Sequence, residues 1–251
     1  MGDSIPNVIF LVPYRDRKEQ YEYFSQHMKT ILEGKTGYQI YYIHQCDKRG
    51  FNRGAMKNIG FRMVRNKWPN DYRSITLVLN DVDTMPRYPD QIDYETEFGK
   101  IKHFYGFHYT LGGIVSIKAG DFERLNGFPN FWAWGFEDNM MLHRAKAAGL
   151  QIDRSTFWPI SSQEIIHLND GNLRPVSKTE FARYIHTTNA GIQSIHHLVY
   201  SINEETGFVD VVQFFTETQD VTDKFNYDLR NGAVPFKGIL GRRKTAMKMW
   251  L

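Results

Sequence analysis

The sequence predicts an α/β protein built on a mostly parallel sheet with helices on its faces. Two observations carry this: apolar, β-branched runs alternate with stretches of helical period, and the third such run ends in acids. "NVIFLV" (7–12) reads as a buried strand ended by Pro13. Tyr21, Phe24, Met28, Ile31 and Leu32 then recur at helical spacing until Gly34 and Gly37 stop the pattern. "YQIYYIH" (38–44) is a second strand, residues 53–65 carry Met56, Ile59, Met63 and Val64 on one helical stripe, and "SITLVLNDVD" (74–83) is a third strand. Residues 86–110 show no clear period. "GGIVSI" (112–117) predicts a further strand, and "GDFERLNGF" (120–128) a short helix with Asp121 as N-cap. Glu137 to Ala148 reads as a helix ending at Gly149, and "EIIHL" (164–168) as a strand. Ligands of such sheets bind beyond the carboxyl ends of the strands, which puts Pro13, Cys46 to Phe51 and Asp81 to Asp83 at the candidate edge.

A chain of 251 residues suits one large domain, or one domain with an appended segment. A net charge of +3 is too small to argue for nucleic acid as a partner. Cys46 is the only cysteine, so no intrachain disulfide can form, which fits a reducing compartment or a disulfide-free secreted protein. The first residues read as neither signal peptide nor membrane span, because the apolar run before Pro13 is too short. From about residue 218 the character changes: "VPFKGILGRRKTAMKMWL" has five Lys or Arg and no acid. It reads either as a terminal helix docked on the domain or as an interfacial segment touching anionic lipid.

Several groups of residues bear chemistry. Asp81 and Asp83, two apart on an extension of a strand, would point the same way and suit a hard divalent cation; a turn-initiating Asp pair is the plainer reading. Arg15 and Arg17 just past the first strand, and Arg53 at a helix start, could hold phosphate; taken singly, each also reads as a solvated surface arginine. His167 has Glu164 three residues earlier and Asp170 three later, and with Asp83 such residues could complete an oxygen-and-nitrogen shell. In "FWAWGFEDNMM" (131–141), Glu137 and Asp138 fall in a first helical turn, where the dipole favours negative charge. Trp132 and Trp134, in a glycine-punctuated loop, suit stacking on a sugar face.

Together, "PYRDR", "FNRGAMKNIGF", "NDVDTMP", "LGGIVSI", "LNGFPNFWAWGFEDNMMLHR", "EIIHL" and "RYIHTTNAGIQSI" resemble the β-1,4-galactosyltransferase family of inverting, metal-dependent glycosyltransferases. The resemblance covers about residues 7–215, and the run from Asn126 to Arg144 is its most specific part. It implies a GT-A fold: a Rossmann-like mixed sheet flanked by helices, in a single domain. The nucleotide-binding part would lie at about 1–85 and the acceptor and metal part at about 110–217, with 218–251 as a basic amphipathic tail.

The resemblance also implies transfer of a hexose or N-acetylhexosamine, Gal or GalNAc, from a UDP-sugar to a glycan hydroxyl, with Mn²⁺ as cofactor. Pro13, Arg15, Arg17, Phe51, Arg53, Asp81, Val82, Thr110, Gly112 and Gly113 fall on donor-binding positions. Asp83 and His167 fall on metal ligands, and Trp134 on the tryptophan of a loop that closes over the donor and reaches the acceptor. Asp138 falls on the general base and Glu137 on an acceptor contact. The other reading open to the sequence is a catalytically inactive, carbohydrate- or nucleotide-sugar-binding relative of the same fold.

Three departures bear on specificity. Glu164 stands where animal members carry a methionine ligand, which predicts a harder metal site that binds Mn²⁺ tightly and also takes Mg²⁺. Thr110 replaces a tyrosine beside the sugar and would enlarge the pocket at C2; a one-residue shift in alignment would put Tyr109 there instead. Phe136 replaces a glycine and Asn139 an aspartate at acceptor positions, so an unusual acceptor is expected. Without the N-terminal anchor and disulfide cysteines of Golgi-resident relatives, the sequence points to a cytoplasmic enzyme of a bacterium or virus. Peripheral membrane contact would run through residues 235–251.

Overall fold

The computed structural model describes residues 5–232 with 235 and 236. Strand β1 (Val8–Tyr14) leads into helix α1 (Lys18–Ile31), then β2 (Tyr38–Gln45), α2 (Arg53–Lys67) and β3 (Thr76–Asn80). Next come β4 (Thr84–Pro86), β5 (Lys100–Gly106), β6 (Ile114–Lys118), α3 (Ala119–Arg124) and α4 (Glu137–Ala147). After these come β7 (Gln151–Asp153), β8 (Trp158–Pro159), β9 (Ile165–His167), β10 (Leu173–Val176) and α5 (Lys178–Ile185). The last described elements are β11 (His196–Asn203), β12 (Phe208–Phe215) and β13 (Phe225–Asp228).

The main sheet has nine strands in the order β11-β12-β2-β1-β3-β6-β5-β7, with β8 beside β5. It is parallel from β12 to β3, but β6 runs antiparallel to β3 and to β5. The sheet is therefore mixed, as the resemblance implies, and its parallel strands β1 to β3 lie where the apolar runs predict them. The period of two explains the layers: Ile9, Leu11, Tyr41, Ile43, Leu77 and Leu79 join Met56, Ile59 and Met63 of α2 in one core. Val8, Phe10, Val12, Tyr42 and Val78 join Phe24, Met28 and Ile31 of α1 in the other.

Pro13 does not end β1, which runs on to Tyr14 beside His44. Past Leu11 only β2 pairs with β1, so that stretch is an edge and tolerates a proline without an N–H. Strand β5 lies in a segment whose sequence has no clear period, since all of Phe104, Tyr105 and Gly106 are buried. Asp121 is not an N-cap: α3 starts at Ala119, and the Asp121 carboxylate accepts from the Gly99 N–H at 2.7 Å.

Past residue 217 the described chain stays tied to the domain. β13 pairs with β10, Gly50 N donates to Asp220 Oδ2 at 2.7 Å, and Phe236 is buried against Phe181. Apart from Pro235 and Phe236, the basic segment 235–251 lies outside the described residues.

Candidate active site

The site is assembled where α2, the turn after β3 and the start of α4 converge. Asn52 caps α2, its side chain accepting from Ala55 N at 2.9 Å. On the inner side of α2, Asn58 donates to Phe128 O at 2.8 Å and to Asn130 Oδ1 at 2.9 Å, and accepts from Phe128 N at 2.9 Å. These bonds pin the 126–132 segment to α2, and a Cβ on Gly127 would overlap Asn58. Arg53 and Lys57, one helical turn apart on α2, pair with Glu137 and Asp138 in the first turn of α4.

Strand β3 stops at Asn80, and residues 81–84 form a turn in which Thr84 N donates to Asp81 O at 3.1 Å. Asn80 Nδ2 ties the turn by donating to Asp81 O and Thr84 O, both at 2.8 Å. The turn replaces the extended geometry expected for "NDVD", so its aspartates serve different neighbours. Asp81 lies 3.6 Å from Lys57 Nζ, whereas Asp83 lies 3.9 Å from His167 Nε2. Val82 between them is buried in the core on the α1 side.

Lys57 is buried, and its ammonium also lies 3.5 Å from Asp138 Oδ1 and 4.7 Å from the Phe128 ring centroid. Burial alone would depress the lysine, but Asp138 and Asp81 hold it above its ordinary value. The Asp138 carboxyl is pushed up to about 7 by burial, with Lys57 opposing and Glu137 and Asp81 adding to the rise. Its Oδ1 has no hydrogen-bond partner. Gly112 passes so close that a Cβ would overlap Asp138 Oδ2. Gly113, at φ +81°, lets the chain pass the Tyr105 carbonyl, which a Cβ would overlap. Beside Asp138, Glu137 is buried and accepts from Arg53 Nε at 2.9 Å.

A second cluster holds Asp83, His167 and Asp170, whose ligand atoms lie within 4.8 Å of one another. Asp83 is pushed up to about 7 by burial and by the charges of Asp81 and Asp170. A cation would relieve that repulsion, and an O,N,O donor set suits Mn²⁺. Tyr105 Oη meets His167 Nδ1 at 3.0 Å, which leaves Nε2 facing Asp83. Asp170 also pairs with Arg174 at 2.6 Å and lies 3.9 Å from Arg17.

Glu164 stands apart from this cluster. The pairing of β9 with β4 runs back one residue, Arg87 N donating to Glu164 O at 3.0 Å, and side chains alternate along it, so a residue three before His167 faces the other way. Glu164 is exposed and accepts from the Ser162 hydroxyl at 2.7 Å. The Asn169–Gly171 turn, closed by Gly171 N donating to Asn169 Oδ1 at 2.9 Å, brings Asp170 round instead.

The remaining candidates fall as follows. Pro13 lies at the end of β1, where Arg15 donates to the Arg49 carbonyl. Phe51 packs on the core beside α2. Thr110 is buried, its hydroxyl donating to Phe107 O at 3.2 Å, while Tyr109 is exposed and stacks on Phe107 at 5.1 Å. Asn139 donates to Tyr109 O at 3.2 Å.

The two tryptophans of the aromatic loop separate. Trp132 is core: it is buried, donates to Thr218 O at 3.0 Å and stacks on Phe214 at 5.5 Å, which leaves no face for a sugar. Trp134 is half-buried on the patch formed by Val176 and Phe181, and its backbone N–H donates to Pro175 O at 2.7 Å. Phe136 caps α4 at φ 72°, a left-handed conformation costly for a bulky side chain, and stacks on Tyr184 at 4.9 Å. Met140 and Met141 are core.

Sequence reasoning missed Lys57 and Tyr105. A signal for Lys57 exists: it stands four after Arg53 and seven before Val64, so the helical period puts a cation among buried positions. Tyr105 carries none, because its partner is 62 residues away.

Two family descriptions match in tandem: the N-terminal region of glycosyl transferase group 7 over residues 3–96, and the N-terminal domain of galactosyltransferase over residues 94–169. The chain is 32% identical to β-1,4-galactosyltransferase 7 of Drosophila melanogaster over 164 residues, 61% of this chain and 49% of the relative. It spans about half the length of the curated relatives it matches. The crystal structure of the catalytic domain of the Drosophila enzyme, complexed with xylobiose, superposes with a TM-score of 0.66 at 22% identity, over 86% of this chain and 96% of that one. A mutant of that enzyme complexed with manganese, UDP-Gal and xylobiose gives 0.59 at 20%, with the same coverage. The fold is therefore that of the GT-A galactosyltransferase catalytic domains.

The expectation of a cytoplasmic bacterial or viral enzyme is corrected by the relatives, which are animal galactosyltransferases from fly, mouse, human and worm. Among the described residues no helix is long and apolar enough to cross a membrane. With its fold, its two tandem matches and its galactosyltransferase relatives in agreement, the chain belongs to glycosyltransferase group 7, the β-1,4-galactosyltransferase family.

Proposed function

We propose that this chain is a metal-dependent inverting glycosyltransferase that moves galactose from UDP-galactose to a sugar hydroxyl, with Asp138 as general base. The observation that carries the reading is the meeting of Asp138, Lys57 and Asp81 at the end of β3. It sets a carboxyl held at about 7 beside the acids of the turn. A base of that pKa is well matched to proton abstraction near neutral pH.

In this reading Asp138 takes the proton of the acceptor hydroxyl as its oxygen attacks the anomeric carbon. The bond to the UDP oxygen breaks on the opposite face, and the product has inverted configuration. Lys57 limits how far the pKa of Asp138 rises and orients its carboxylate. Arg53 holds Glu137 toward the acceptor side, and Gly112 and Gly113 give the donor sugar close backbone approach. Asp83, His167 and Asp170 are the residues that would hold Mn²⁺, which when bound would supply positive charge to offset that of a leaving diphosphate. Trp134, on the aromatic loop, screens the donor from water. Galactose is preferred over N-acetylgalactosamine because the relatives are galactosyltransferases. A xylose-terminated acceptor is the first to test, because the worm relative is a xylosylprotein 4-β-galactosyltransferase and the fly enzyme was crystallised with xylobiose.

The test is UDP release in Mn²⁺ with UDP-galactose, UDP-N-acetylgalactosamine and UDP-glucose, each with and without a β-xyloside. Acceptor-dependent release from UDP-galactose supports the assignment. No release from any donor, with UDP still bound, would favour an inactive sugar-nucleotide-binding relative.

A further inference from the structure

A second group of metal-ligating side chains lies away from the acids around Asp138. His44 and Cys46 are two apart at the end of β2 and share one face of the sheet, and Asp210 stands opposite His44 on β12. Cys46 Sγ lies 3.4 Å from His44 Nδ1 and 3.8 Å from Asp210 Oδ1, and the latter two atoms are 2.8 Å apart. All three ligand atoms fall within 4.8 Å of one another.

Tetrahedral Zn²⁺ with bonds of about 2.3 Å to sulfur and about 2.0 Å to nitrogen or oxygen has ligand–ligand edges of roughly 3.3–3.5 Å. The two edges to sulfur are already near that length, and the N–O edge need open by only about half an ångström. We propose that His44, Cys46 and Asp210 form a binding site for a thiophilic divalent cation of the Zn²⁺ class, separate from the Asp83–His167 cluster. Thiolate, imidazole and carboxylate together carry the −2 charge that such an ion neutralises, and Cys46 is exposed, which leaves a fourth position open to water.

The scaffold is rigid. Cys46 N donates to Val211 O at 3.0 Å, and Tyr14 and Phe208 pack edge-on against the His44 ring at 5.2 and 6.0 Å. Burial and the neighbouring Asp210 carboxylate keep the thiol protonated in the free protein, so binding releases the Cys46 proton to solvent as the metal–sulfur bond forms. The ion would clamp β12 to β2, next to β1, which carries Pro13 and ends one residue before Arg15.

The experiment is a Co²⁺ titration of reduced, chelator-stripped protein, read by the thiolate-to-cobalt charge-transfer band and followed by displacement with Zn²⁺. The full chain and its Asp83→Asn variant should both bind one equivalent with that band. His44→Ala and Asp210→Asn should each weaken binding at least about ten-fold, and Cys46→Ser should abolish the band, with circular dichroism unchanged. The proposal is overturned if the full chain gives no thiolate band. It is also overturned if His44→Ala and Asp210→Asn both bind Co²⁺ as tightly as the parent.

Discussion

The ammonium of Lys57 lies between two carboxylates, 3.5 Å from Asp138 and 3.6 Å from Asp81, and is itself buried. It joins the turn after β3 to the first turn of α4, so Asp138, the proposed base, and Asp81 are held by one side chain. Lys57→Met removes the cation that opposes the rise of the Asp138 pKa. Turnover at neutral pH should fall by about 10²-fold or more, with the rising limb of the pH profile displaced to higher pH. A profile that keeps its midpoint would show that Lys57 only supports the fold.

Gly112 should tolerate no side chain. An added Cβ overlaps Asp138 Oδ2, so Gly112→Ala must displace the carboxylate. Because about 1 Å of misplacement can cost on the order of 10²-fold, transfer should drop by that much while the circular dichroism spectrum is kept. Full activity in Gly112→Ala would remove Asp138 from the reacting position.

Three carboxyls, those of Asp83, Asp138 and Glu180, are raised to about 7, each first by burial. Raised pKa values mean that the folded state binds more protons than the unfolded state between about pH 4 and about pH 7. The stability they contribute is full below about pH 4 and is lost as pH rises through about 7. Metal-free protein should therefore melt at a lower temperature at pH 8 than at pH 5.5, and Mn²⁺ should restore more at pH 8. Transfer should rise across the same window as Asp138 ionises. Thermal unfolding at both pH values, with and without Mn²⁺, checks the sign.

Metal affinity should separate Asp170 from Glu164. Asp170→Asn is expected to weaken Mn²⁺ binding by roughly 10–100-fold, whereas Glu164→Gln, whose parent carboxylate faces Ser162, should leave it unchanged. The free Mn²⁺ electron paramagnetic resonance signal reads both. Equal losses would bring Glu164 back into the shell.

Much of the architecture was legible in the sequence, because β1 and β3 are unbroken apolar runs buried on both faces and α1 buries one stripe of helical spacing. The hairpin of β11 and β12 was not, since its alternation is shallow and its place beside β2 is a long-range pairing. Within the site, the motifs around Asp81, Asp83, Asp138 and His167 stood out by residue type. The separation of Trp132 from Trp134 did not: both are tryptophans in one loop, and only the hydrogen bond to Thr218 and the stack on Phe214 make the first one core. Glu164 illustrates the limit in another way. Its place beside the metal came from the resemblance, whereas the strand read over 164–168 already turns a residue three before His167 away.

The most direct test of the account is Asp138→Asn, measured for both galactose transfer and UDP binding in Mn²⁺. Transfer should fall by about 10³-fold or more while UDP binds as it does to the parent. Transfer within about ten-fold of the parent would contradict the assignment of Asp138 as the base.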